Sequence, residues 1–311
     1  MEMLERETKK PQNKKEWHEM RSEVITSTEV SALFGCCPYI TEYELWFRKR
    51  DKIMVEIEEN DRMKWGTRLQ DPVAMGIAHD NGWDIRYMNE FITIPSLRIG
   101  SSFDYMVKIS DAENAILEIK VVDDLVFKNK WIDEDGIYEA SPHIELQAQH
   151  QLLVSGQKTI YIGAFIGGNK VVLIQRKPIQ SVFDAILKKT EDFWKSVDKG
   201  ISPSPDFPRD ASFIIDKYQF AEPGKTFDAS DNKSILEMVE EYQALGRTEK
   251  MAKERRDTIK ANILMQVGDA ERVIAPSFTI SAGVVGPAHV EYDREGYRSF
   301  RVFDKKTKEK K

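Results

Sequence analysis

The stretch Ile116-Leu117-Glu118-Ile119-Lys120 alternates apolar and charged residues with period two, the pattern of a β-strand. Alternation puts Glu118 and Lys120 on one face and turns Ile119 to the other. A solvated strand face accounts for a Glu-x-Lys triplet as well as chemistry does, so the neighbouring segments must decide. Upstream, "RIGSSFDYMVKI" (98–109) is a second strand candidate carrying Asp104, and "WDIRYMNEFITI" (83–94) is a third. Pro95-Ser96 and "SDAEN" (110–114) supply turn chemistry between them. If these strands pair as neighbours, Asp104, Glu118 and Lys120 converge at one end of a sheet. Two carboxylates with a backbone carbonyl make an oxygen-rich site suited to Mg²⁺ or Mn²⁺. The lysine can then orient, or help deprotonate, a water on such an ion.

Outward from this stretch, "VVDDLVFKNKW" leads into a looser region from Asp123 to Ser141, after which Pro142 opens an amphipathic helix, "HIELQAQHQLLVSG", ending at Gly156. "KTIYIGAFIGG" and "KVVLIQRK" read as a hairpin, and a long helix follows from about Ile179 to Lys199. On the other side, Ser27 or Thr28 can cap a short helix stopping at Gly35, and Thr41 a second one carrying Leu45, Trp46 and Phe47. Leu69, Val73, Ile77 and Ala78 have helical spacing up to Gly82, with Asp71-Pro72 suiting an early helix position. The expected fold is α/β: a central mixed sheet flanked by helices over residues 1–204. "GISPSPDFP" (200–208) reads as a linker to a small α+β appendage over 205–311. Within the appendage, helix is expected over 231–267, with Ile235, Leu236, Val239, Tyr242, Ile259, Ile263 and Val267 as its apolar stripe. Strands are expected in "RVIAPSFTISAGVV" and "YRSFRVFD".

Composition narrows the class. With 311 residues, 41% hydrophobic and 32% charged, the chain can bury a substantial core and is neither disordered nor membrane-like. No apolar run reaches the roughly 20 residues of a membrane span, and the first residues lack a secretory signal, so a cytoplasmic location is expected. The only cysteines, Cys36 and Cys37, are adjacent and read as reduced thiols. A net charge of −6 argues against wholesale coating of nucleic acid but allows a local basic channel. The basic run "KKTKEKK" at 305–311 reads as a solvated tail. There is no GxxxxGK[ST] loop, hence no ATP motor of this kind. His79, His143 and His150 lack the spacing that places two ligands on one helical face, although His150 shares the helix of Gln147. Trp131 suits an anchor for its loop better than a stacking platform for a base, and Trp46 and Phe47 suit core.

The ordered set "RSEVITSTEVSALFG-CCPY", "ELW", "WGTRL", "SSFDYMV", "LEIK", a tryptophan and "SPHIELQAQHQL" resembles the YqaJ-type viral recombinase exonucleases. That group includes phage lambda exonuclease and lies within the PD-(D/E)xK nucleases. The resemblance covers roughly residues 17 to 200. It implies a restriction-endonuclease-like core and a Mg²⁺- or Mn²⁺-dependent deoxyribonuclease using two ions about 4 Å apart. It implies degradation of double-stranded DNA ends from 5′ to 3′, leaving 3′ single strands for a phage-type single-strand annealing protein. It further implies a ring-shaped homotrimer and a phage or prophage gene expressed in a bacterial cell.

By position, Asp104, Glu118 and the Ile119 carbonyl would hold metal, Lys120 would be the catalytic lysine, and Gln147 would help organise the site. Arg21, Thr28 and Ser102 would hold the 5′-terminal phosphate, which suits a guanidinium fork and hydroxyls. One position departs. Where the family carries a helix glutamate, this chain has Gln70, and Asp71 points about 100° away from it on a helix. Either this branch tolerates an amide ligand, or the chain is a weakened variant. The otherwise intact motif set favours the second. Two other functions stay open: a site-specific endonuclease of the same fold, and a non-catalytic DNA-end-binding or recombination-scaffold protein.

Overall fold

The computed structural model describes residues 5–53, 58–291 and 296–302. In chain order the described elements begin with β1 (Glu7–Lys9), α1 (Lys14–Ser22), β2 (Ile25–Thr26), a 3-10 turn (Val30–Phe34), α2 (Glu42–Arg50) and α3 (Asp61–Asn81). There follow β3 (Asp84–Tyr87), β4 (Phe91–Ile94), β5 (Ile99–Ser102), β6 (Tyr105–Ser110), β7 (Glu113–Val122), α4 (Asp124–Lys130) and α5 (Pro142–Ser155). The hairpin β8 (Ile160–Ile166) and β9 (Lys170–Arg176) precedes α6 (Gln180–Asp198) and α7 (Phe207–Lys217). Last come α8 (Lys233–Val267), β10 (Arg272–Ile274) and β11 (Thr279–Ser281). Contacts divide the chain into two units, Met1–Phe213 and Ile214–Lys311.

The first unit is built on the expected mixed sheet with helices against it. Five strands run in the order β3-β6-β7-β8-β9, parallel only between β7 and β8. On one face Leu117 and Ile119 of β7 pack with Val73, Ala74 and Ile77 of α3, giving one apolar cluster. On the other face Ile116 and Val122 join the larger cluster with Ile144, Ala148 and Leu152 of α5. Strand β7 is thus covered on both sides. Gly163 of β8 meets α3 so closely that a side-chain carbon there would lie 2.7 Å from Ile77 Cδ1.

The strand candidates at 83–94 and 98–109 each break in two and change sheet. β4 and β5 leave the main sheet for a second, four-stranded one ordered β1-β4-β5-β2. Neither break is marked by glycine or proline, so the alternating pattern reads through it. At the second break Asp104 falls between β5 and β6 rather than within a strand. β2 and β5 pair in parallel, Ile25 opposite Ile99 and Thr26 opposite Gly100. Gly100 is tightly packed here, since an added Cβ would sit 3.0–3.1 Å from Thr93, Val24 and Phe91 side chains.

Several helix boundaries hold and others need correction. Thr41 caps α2, its hydroxyl accepting from Glu44 N at 3.1 Å. Gly82 and Gly156 end α3 and α5 with φ of 66° and 73°, a conformation open to glycine. Neither Ser27 nor Thr28 caps the Val30–Phe34 turn; Glu29 occupies that position without a side-chain cap bond. Pro72 lies in the interior of α3, not near its start. The region after Asp123 holds α4, capped by the Asp123 carboxylate on the Leu125 and Val126 amides. Trp131, 2% exposed and stacked on Phe127, anchors the loop that follows.

Helix α7 begins inside the proline-rich linker, and its first part belongs to the first unit. Asp210 is fully buried and accepts from Thr41 Oγ1, while Phe213 packs on Phe47 with ring centroids 6.0 Å apart. In the second unit α8 has no fully buried residue; of the expected apolar stripe Ile235, Val239 and Val267 are half-buried and the rest is exposed, with Tyr242 set edge-on to Phe300. β10 and β11 form a hairpin within the first expected strand segment. The described part of "YRSFRVFD", residues 297–302, is not strand. The basic run at 305–311 lies outside the described residues.

Candidate active site

The site forms where β6 stops accompanying β7. Register pairs end at Tyr105 with Leu117. Beyond them the Asp104 carboxylate takes the place of a strand, its Oδ2 accepting from Ile119 N at 2.9 Å. In an extended strand a residue's N–H and C=O point to the same side, so the Ile119 carbonyl faces the same opening as Asp104.

Glu118 is the centre of the constellation. It is 5% exposed, which excludes the solvated-face explanation for Glu-x-Lys. Its Oε1 accepts from Lys120 Nζ at 2.7 Å and from Gln147 Nε2 at 2.6 Å; its Oε2 accepts from Gln151 Nε2 at 2.8 Å. A buried carboxylate without such partners would cost several kcal/mol, on the order of the roughly 3–5 kcal/mol measured when a buried pair is broken. Burial and the Glu118 charge push the Asp104 carboxyl up to about 7, against the opposing pull of Lys120 and the Ile119 amide. Burial would lower the Lys120 pKa, but Glu118 and Asp104 outweigh it and hold it above its ordinary value. At neutral pH Lys120 is therefore an ammonium, a donor to oxygen and not a base.

The expected phosphate pocket assembles in part. Arg21 Nη2 donates to Thr28 Oγ1 at 3.1 Å, and the guanidinium lies 4.3 Å over the Trp17 ring. Beneath it Lys49, 5% exposed, spans both Glu29 oxygens at 2.9 and 2.8 Å and the Arg21 carbonyl at 2.7 Å. Glu29 also accepts from the Thr26 hydroxyl at 2.7 Å and amide at 3.0 Å. Burial would raise the Glu29 pKa, but Lys49 and Arg21 overcome it and bring it down to about 2. Ser102 ends β5, beside β2; its carbonyl accepts from Ser101 Oγ at 2.9 Å and from Gln151 Nε2 at 3.3 Å.

Asp104, Glu118, Ile119, Lys120 and Gln147 thus come together, as do Arg21 and Thr28. Gln70 is half-buried on α3, one turn before fully buried Ala74, and makes no recorded bond to the group. Its neighbour Asp71 is turned to the sheet after all, accepting the Tyr105 hydroxyl proton next in sequence to Asp104. Gln151 is the residue that sequence reasoning missed, and His143 is one that it set aside for want of a ligand partner. Both lie at i±4 from Gln147, and that spacing was the available signal. His143 is close enough to Lys120 for that charge, after burial itself, to lower its pKa. His150 is fully buried, influenced by Ile25 and Glu29, and burial brings it down to about 4.

Among the described residues no group of three or more His, Cys, Asp or Glu side chains is placed to hold a metal ion. The donor set is two carboxylates and one carbonyl. That suits Mg²⁺, which keeps several waters and takes one or two carboxylates from a protein.

The profile of the YqaJ-like viral recombinase domain matches residues 16–158, the span that carries every one of these side chains. Residues 16–158 belong to that family. The chain as a whole is similar to the protein YqaJ of Bacillus subtilis (strain 168), 27% identical over 252 residues that cover 79% of this chain and 76% of the relative. Among solved structures it is similar to an alkaline exonuclease from Laribacter hongkongensis, at 16% identity and a TM-score of 0.48, covering 64% of this chain and 99% of that one. A SOX–DNA complex matches more loosely, at 12% identity and a TM-score of 0.37 over 58% of this chain and 66% of that one. Among the described residues of the chain no helix is long and apolar enough to cross a membrane.

Proposed function

We propose that the YqaJ-like domain is a metal-dependent deoxyribonuclease acting on the ends of duplex DNA. The observation that carries this reading is Glu118: an acid on a strand covered on both faces, held by an ammonium and two amides beside a second, converging acid. A divalent cation between Asp104, Glu118 and the Ile119 carbonyl would supply a Lewis acid for the scissile phosphate. Gln147 and Gln151 fix both Glu118 oxygens. Lys120 donates to the attacking water or to a phosphate oxygen and offsets the charge that develops there. Arg21 and Thr28 receive the terminal phosphate, setting which bond reaches the carboxylates.

Mg²⁺ or Mn²⁺ as the ion, 5′-to-3′ polarity, a 3′ single-stranded product passed to an annealing protein, and a homotrimeric ring all follow the family resemblance. A cytoplasmic site of action in a bacterial host fits that assignment. Gln70 supports a second reading, an end-binding protein with weakened chemistry.

The test is digestion of 5′-phosphorylated linear duplex, labelled separately at each end, with Mg²⁺ or Mn²⁺, beside a covalently closed circle. Loss of label from the 5′ ends with the circle intact is expected, and Glu118→Gln or Lys120→Met should slow it roughly a hundredfold or more. Cleavage of the circle would point to an endonuclease. No cleavage, with the linear duplex still bound, would leave the end-binding reading.

A further inference from the structure

Gln151 is 1% exposed, and its single amide nitrogen serves two acceptors that belong to different parts of the site. One is Glu118 Oε2 at 2.8 Å; the other is the Ser102 carbonyl at 3.3 Å. The orientation is fixed by chemistry, because exchanging Nε2 and Oε1 would set an oxygen against a carboxylate and a carbonyl. Oε1 itself is buried without a hydrogen-bond partner among the described residues. Ser102 ends β5, which is paired in parallel with β2 at Thr26 and Gly100. Two residues on from Thr26, Thr28 holds Arg21. A hydrogen-bonded path therefore runs from the Arg21–Thr28 pair, through the Thr26 hydroxyl 3.3 Å from that of Thr28 and two paired strands, to one oxygen of Glu118. Gln147 grips the other oxygen of the same carboxylate without a recorded bond to β5.

We propose that Gln151 is a positioning residue that couples occupancy of the Arg21–Thr28 pocket by a terminal phosphate to the affinity of Glu118 for a divalent cation. The inference rests on the functional reading above. A phosphate drawn in by Arg21 and Thr28 shifts β2, and β5 moves with it. The Ser102 carbonyl then loads or unloads the Gln151 amide, and Glu118 Oε2 feels the difference. Coupling of this kind is reciprocal, so a bound cation also tightens the hold on the phosphate.

The experiment measures Mn²⁺ affinity of the full chain by calorimetry, with a short duplex bearing either a 5′-phosphate or a 5′-hydroxyl. The natural protein should bind Mn²⁺ at least about fivefold more tightly with the phosphorylated end, the lower edge of ordinary allosteric coupling. Gln151→Met should bring that ratio to about one. Gln147→Met should weaken Mn²⁺ with both ends and leave the ratio in place, which a merely structural role for Gln151 would not produce. In case Gln151→Met does not fold, the side-chain amide resonance of Gln151 in the natural protein gives a second readout. It should move on adding the phosphorylated duplex without metal, and stay put with the hydroxyl duplex. A ratio of one in the natural protein, a ratio preserved in Gln151→Met, or an unmoved resonance overturns the coupling alone. Absence of Mn²⁺ binding in the natural protein overturns both the coupling and the metal-site reading.

Discussion

Glu118 and Asp104 show how one sequence signal separates into two environments. Glu118 is satisfied by three donors, whereas Asp104 has the Ile119 amide and lies in the field of its fellow acid. With its carboxyl at about 7, a proton competes with a cation for Asp104. Mn²⁺ affinity should therefore climb as pH rises through about 7 and level off above it; calorimetry at pH 6, 7 and 8 checks this. Asp104→Asn should flatten the dependence. At α3, Gln70 lies on the sheet-facing side without a recorded bond, so Gln70→Glu can add a carboxylate with little disturbance. That variant should raise Mg²⁺-dependent turnover of linear duplex. Unchanged turnover at saturating metal would show that Gln70 stands outside the chemistry.

Elements explain both what the sequence made legible and what it hid. The Glu118/Lys120 alternation, the Pro142-to-Gly156 helix and the Thr41 cap are local signals, and each forms as its residues dictate. The sheet change at 88–90 and 103–104 is a tertiary event inside a nearly continuous alternating pattern, where only Asn89 and Asp104, and no glycine or proline, stand at the breaks. β1 was invisible for another reason: its three exposed residues bury nothing, and only pairing with β4 defines it. Gln151 reads as one more polar residue on an amphipathic helix until β5 arrives beside it. The junction of α1, β2 and α2 gives a stability prediction through Glu29, whose pKa lies at about 2 against an ordinary 4.5. As acid is added the unfolded chain takes up the proton first. The contribution is thus complete above about pH 4.5 and is lost as pH falls through about 2. Urea midpoints between pH 6 and 3 should decline, and Glu29→Gln should decline less over the same range.

At the scale of the whole molecule, the residues assigned to chemistry all lie in the first unit, and the second adds a long charged helix and a hairpin. The stretch between α7 and α8 is exposed and without regular structure, and Lys225 within it has 73% of its side chain exposed. Limited trypsin digestion should cut there before it cuts the sheet, leaving a fragment from the chain start to Lys225, which mass spectrometry would identify. Early cleavage between β3 and β9 instead would contradict the compact first unit.

Pro72, twelve residues into α3, has a consequence of its own. Proline has no N–H, so the Arg68 carbonyl loses its intrahelical donor and the ladder is interrupted at that turn. Beyond it Val73, Ala74, Ile77 and Ala78 are pinned in the core, while Asp61 to Asp71 lie mostly in solvent. The missing bond and the uneven burial predict that the two halves open independently. In deuterium exchange followed peptide by peptide, amides before residue 72 should therefore take up label far sooner than those after it, so the segment bearing Gln70 and Asp71 is adjustable while its anchor stays shut.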